Sequence, residues 1–163
     1  MTHDGAEDRI YIDGALVNSK AVSGELNATV HPFGIGYNPI DNANYFDGSL
    51  DEVQLYNYAL SEQEVTDLYN AQSTSGAPAT DLVAAYPFSG NANDTSIYEN
   101  HAWVGGAELT ADRFGYGANA YVFNAEDSLL AANSPALNSD YATVSFWVNV
   151  NTLPAQGEVY LLS

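Results

Sequence analysis

The chain has no cysteine, and only three of its 163 residues are lysine or arginine, against twenty-one aspartates and glutamates. The first absence excludes disulfides, thiolate metal sites and a cysteine nucleophile. It leaves the compartment open, because a bound calcium ion can supply the rigidity a disulfide would. The second absence produces a net charge of −18, which repels nucleic acid and anionic membrane and attracts cations. Calcium is the hard cation that an oxygen-rich, thiol-free chain recruits most readily. No apolar run is long enough to cross a bilayer, and the N-terminus does not read as a signal peptide. A secreted parent would carry this chain as an internal piece. What is present is ordinary for one folded domain: 46% hydrophobic residues and enough length for a real core.

Strand patterns dominate. Arg9–Ile12 and Ala15–Val17 flank Asp13-Gly14, a strong hairpin signal. Residues 26–37 and 45–58 read as further strands broken by Pro, Gly and Asn. A helix is expected over 61–72, where Ser61 and Glu64 have capping-box spacing and Val65, Leu68 and Tyr69 form an apolar stripe. The uncharged segment 73–80 reads as a linker between 1–72 and 81–163. Beyond it, a strand begins over 82–88, and 120–124 with 128–132 suggests a hairpin. In 143–150, Val144, Phe146, Val148 and Val150 share one face, with Ser145, Trp147 and Asn149 on the other. A last strand is expected over 158–162.

Asp51 has the parity of Val53 and Leu55, so a regular strand would turn its carboxylate toward the core. A buried carboxylate is costly without a partner. With so few cationic side chains available, a metal ion is the expected partner.

Two stretches resemble the laminin G-like, concanavalin A-like jelly-roll family. Thr2–Gly5, Arg9–Gly14, Phe46–Val53 and Tyr56–Ser61 are similar to its C-terminal half. Leu82–Phe88, Gly90–Asp94, Asp112–Gly115, Ala120–Phe123 and Val144–Val148 are similar to its N-terminal half. The order is reversed and the family's central strands are missing, so the chain either spans the junction of two tandem repeats or is a circular permutant. The resemblance implies an all-β sandwich of two antiparallel sheets with one short helix, and residues 1–72 and 81–163 together are expected to make one sandwich. The missing strands leave open sheet edges, at 10–12 and 160–162, through which a homodimer is expected.

The resemblance also places a calcium-binding turn in the loop after residue 88. Asp94 would supply a carboxylate, Ser96, Asn100 and His101 further ligands, and Asp51 would close the site. The plainer reading of that loop is an Asx-rich turn with no ion. Enzymes of this fold carry alternating acids on one strand, whereas Asp51 and Glu52 are adjacent and Glu126-Asp127 sit at a turn. No catalytic residue is therefore assigned. The expected function is a non-catalytic, calcium-stabilised recognition or adhesion module from a bacterial surface or secreted protein, with glycan the ligand. The alternatives are a structural spacer repeat and an accessory module of a polysaccharide-degrading enzyme. Trp147, Tyr56 and Tyr58 fall on faces opposite the core set but are not assigned to a ligand. Asn27-Ala-Thr29 and Asn93-Asp-Thr95 match glycosylation sequons.

Overall fold

The computed structural model describes residues 1–24, 26, 30–40, 44–74, 82–124, 126–152 and 161–162. The strands are β1 (Thr2–His3), β2 (Glu7–Ile12), β3 (Ala15–Ala21), β4 (Phe33–Ile35), β5 (Gly48–Tyr56), β6 (Leu82–Tyr86), β7 (Ala102–Gly105), β8 (Glu108–Thr110), β9 (Ala120–Phe123), β10 (Ser128–Ala131) and β11 (Ala142–Val150). An α-helix, α1 (Glu62–Thr74), lies between β5 and β6, and Pro135–Leu137 forms one turn of 3-10 helix before β11. The large sheet runs β3-β2-β1-β11-β5-β9-β8, with β6 also paired to β5, and a small sheet runs β4-β10-β7. All pairings are antiparallel. This is a mostly-β, two-sheet sandwich with one short helix, consistent with a concanavalin A-like jelly roll. Most of segment 73–80, the sequon at 27–29 and most of the strand expected over 158–162 fall outside the described residues.

The core lies between the sheets. Leu50, Val53 and Leu55 of β5 meet Ile35, Leu129 and Ala131 of the small sheet, with Phe46, Phe88 and Phe123 filling the gap. As expected, β11 turns Val144 and Phe146 to this core. A second cluster covers the opposite, outer face of β5, where Leu68 and Val65 of α1 pack with Tyr56, Tyr58 and Leu60. The helix begins where its capping box closes. The Ser61 N–H donates to Glu64 Oε2 at 2.7 Å, and the Glu64 N–H donates to Ser61 Oγ at 3.3 Å. The Asp13-Gly14 turn has φ of 51° and 75°, as a two-residue hairpin requires. A Cβ on Gly14 would stand 3.0 Å from Tyr69 Cβ, so the turn also needs glycine to let α1 approach.

Three expectations are corrected. Residues 120–124 and 128–132 do not form a hairpin. β9 pairs with β5 and β8, whereas β10 pairs with β4 and β7. The chain turns a corner between sheets there, with the Asn124 N–H donating to Asp127 Oδ2 at 2.8 Å, because Phe123 and Leu129 bury against each other's sheet rather than side by side. Residues 26–37 contain only the three-residue β4 among those described. And β5 is not regular: its pairing with β11 slips between Ser145 and Trp147, and Glu52 sits at φ 51°. This bulge resets the alternation. Leu50 faces the core, as do Val53 and Leu55, so Asp51, paired to Trp147, faces outward under other side chains.

Candidate functional site

Asp51 is 6% exposed, but its partner is not where parity placed it. Arg113 Nη1 donates to Asp51 Oδ2 at 2.9 Å. The guanidinium lies over the Trp147 ring at 4.3 Å and the Phe114 ring at 4.4 Å, and Trp147 in turn packs on Tyr69 of α1 at 5.5 Å. A tight turn aims Arg113 at the sheet: the N–H groups of Phe114 and Tyr116 each donate to Asp112 Oδ1 at 2.9 Å. Burial pushes the Asp51 carboxyl up to about 6, and the neighbouring Glu52 charge adds to this while Arg113 opposes it. Burial also raises Glu52, again opposed by Arg113. The bulge thus leaves both acids in reach of one cation, not on opposite faces as alternation implied.

The loop after β6 gathers the other expected site residues. Asp94 is 3% exposed. Its Oδ1 accepts the N–H groups of Ala85 and Ser96, each at 2.8 Å. Its Oδ2 accepts the Ser96 hydroxyl and the Asn100 N–H, each at 2.8 Å. The Asp94 N–H donates to His101 Nδ1 at 3.2 Å, and Asn100 Nδ2 donates to Val83 O at 2.9 Å. So Asp94, Ser96, Asn100 and His101 come together, and Asp51 does not join them. Ala85 turns both its N–H and its C=O to this loop, so β6 stands between the loop and β5. Asp51 is also displaced roughly 7 Å along the strand from Gln54, the residue opposite Ala85.

As arranged, this donor set fits a hydrogen-bonded turn better than a calcium shell. An ionised carboxylate has about four lone-pair positions, and all four on Asp94 are taken by N–H or O–H donors. Calcium asks for roughly 6–8 oxygens. Among the described residues, no group of three or more His, Cys, Asp or Glu is placed to hold a metal ion.

The same loop forms one wall of a cleft that sequence reasoning missed. The cleft has a volume of about 470 Å³ and is lined by Asn57, Tyr98, Asn100, Asn138, Ser134 and Ser139, with apolar contributions from Val83, Pro135 and Ala136. Among the described residues, no Asp or Glu lines it. Tyr98 is 47% exposed, and its N–H donates to Ser96 Oγ at 3.3 Å. The opposite wall is tied together by Asn138 Nδ2, which donates to Asn133 Oδ1 at 3.0 Å, and by the Ser139 hydroxyl, which donates to Asn57 O at 3.0 Å. Ser134 Oγ is buried and has no hydrogen-bond partner among the described residues. The walls come from four separate stretches of chain, so spacing in sequence carries no sign of them.

Residues 1–66 match the family model described as the concanavalin A-like lectin/glucanases superfamily, of the laminin G type. That match falls within the first of the two stretches that resemble this family. No curated protein matches the chain, and no solved structure does. Among the described residues, no helix is long and apolar enough to cross a membrane.

Proposed function

We propose that the chain is a non-catalytic, glycan-binding recognition module of a secreted or surface-attached protein. The carrying observation is the cleft, where amides and hydroxyls surround an exposed tyrosine ring. Sugar rings present an apolar face to an aromatic ring and a rim of hydroxyls to amides, so this lining suits them. The volume lies within the range of small-molecule sites. The match of residues 1–66 to a lectin-like superfamily supports the same class. Two carboxylates across the cleft would favour a hydrolase, but among the described residues the lining has none, and Asp51 is paired with Arg113 on the outer sheet face.

Glycan-array screening followed by calorimetry tests this reading. Tyr98→Ala should weaken the best ligand at least tenfold while the melting temperature stays within a few degrees. Binding should be equal with calcium and with chelator, since the Asp94 turn is closed by its own donors. No bound glycan, or affinity untouched by this substitution, favours the spacer reading.

A further inference from the structure

The chain's whole supply of lysine and arginine is three side chains, and all three are placed away from the cleft. Arg9 is paired with Asp4 at 2.7 Å and with Glu7 at 2.6 Å. Arg113 is paired with Asp51 at 2.9 Å. Lys20 sits opposite Asp8 on β3, the outermost strand of the large sheet. None of them lines the cleft, and none of the three histidines does. Each wall instead carries an exposed acid next to a lining residue. Glu99 stands between Tyr98 and Asn100, and Asp140 follows Ser139. A carboxylate or sulfate loses its hydration on entering a site and regains most from a charge-assisted partner. Here it would meet no cation, and the field of a chain at −18 would oppose its approach.

What the cleft does offer is an apolar patch beside amides. Val83 is 2% exposed, Ala136 packs against the same core, and Pro135 opens the 3-10 turn beside them. Asn100 Nδ2 donates to Val83 O at 2.9 Å. A carbonyl oxygen only accepts, so this bond fixes which way round the amide sits. Its Oδ1 is turned away from the strand, as an acceptor on the cleft wall. Asn57 brings a second, exposed amide, from a residue whose carbonyl accepts the Ser139 hydroxyl at 3.0 Å. An acetamido group matches this combination. Its N–H donates, its C=O accepts and its methyl group covers apolar surface. An ammonium group at the same place would give up water over the apolar patch, and a plain hydroxyl would leave the patch wet.

We propose that the cleft selects uncharged glycans bearing an N-acetylated amino sugar, and rejects those carrying sulfate or carboxylate groups. The proposal rests on the glycan-binding reading and names its substrate class. The ring stacks on Tyr98, the acetamido group lies between Asn100 and the Val83–Ala136 patch, and the missing cation excludes acidic sugars.

The probes are β-linked tetramers of N-acetylglucosamine and of N-acetylgalactosamine, measured by calorimetry. Each has three matched variants: the free amine, a hydroxyl in place of the acetamido group, and the 6-O-sulfated form. One of the two parent tetramers should bind, and each of its variants should bind at least tenfold more weakly. Asn57→Lys, checked for folding by circular dichroism, should strengthen binding of the sulfated form at least tenfold, and added salt should remove that gain. The proposal is overturned, with the glycan reading intact, if any variant binds as well as its parent. The same holds if an array shows binding only to glycans without an acetamido group. If Asn57→Lys brings no gain, the missing cation is not what excludes acids, and that part of the proposal falls. Failure of the glycan reading itself looks different: no tetramer and no glycan on the array binds, and the proposal falls with it.

Discussion

Asp94 and Asp51 are 3% and 6% exposed, yet one is met by four neutral donors from nearby chain and the other by a guanidinium brought from 62 positions away. The two environments are different physical solutions to burying a charge. Around Asp94 the donors are mostly backbone N–H groups, fixed by the turn itself, so the carboxylate and the loop define each other. Around Asp51 the field is divided: burial and Glu52 oppose ionisation and Arg113 favours it. The first arrangement organises one wall of the cleft. The second clamps a loop onto the outer face of the sheet, through a side chain held between two aromatic rings.

The largest effect expected from this contrast is at Asp94. Asp94→Ala strands several donors, each costing about 1–3 kcal/mol when buried and unmatched. A loss of about 3–5 kcal/mol, read from the urea midpoint, is expected, together with loss of glycan binding. A loss below 1 kcal/mol would mean the loop holds its shape without the carboxylate. Arg113→Met comes next. It keeps much of the packing on Trp147 but leaves a buried carboxylate unpaired, for about 2–3 kcal/mol at pH 7. The cost should shrink on acidification, as Asp51 takes up a proton.

A third outcome concerns pH alone. The folded-state value of Asp51 lies above the unfolded one, so the native state binds more protons between them, and stability falls as pH rises from about 4 to about 6. Comparing Asp51→Asn with the parent across this range isolates the contribution, and parallel curves would remove it. The smallest expected effect is that of calcium. Adding chelator should leave the melting temperature unchanged, and a calcium-dependent rise would return the Asp94 loop to the role of a metal site.

Much of the sandwich was legible from periodicity. The face assignment of Val144, Phe146 and Trp147, the capped helix and the Asp13-Gly14 turn all rest on local rules that the structure obeys. Asp51 shows where such rules stop. Its orientation depends on one inserted residue, Glu52, whose left-handed conformation nothing in the local sequence announces. Arg113 was visible as one of three cations, but its meeting with Asp51 is set by which strands become neighbours. Asp94, Ser96, Asn100 and His101 were grouped by the family resemblance, as ligands of an ion, and the structure gathers them as a hydrogen-bonded, Asx-rich turn. The cleft was not, since Asn57, Tyr98, Asn138 and Ser139 converge only through the fold.

The place of β5 carries one more consequence. It lies early in the chain, yet its partners β6, β9 and β11 all come later, and the hydroxyl of Thr143 donates to the Tyr58 carbonyl across 85 positions. During synthesis, this central strand of the large sheet leaves the ribosome before any of the strands that pair with it. Contacts this distant close slowly, so β5 stays open and adhesive until β11 has been made. The chain's heavy load of acids keeps neighbouring nascent chains apart during that interval, which gives the −18 charge a use in production.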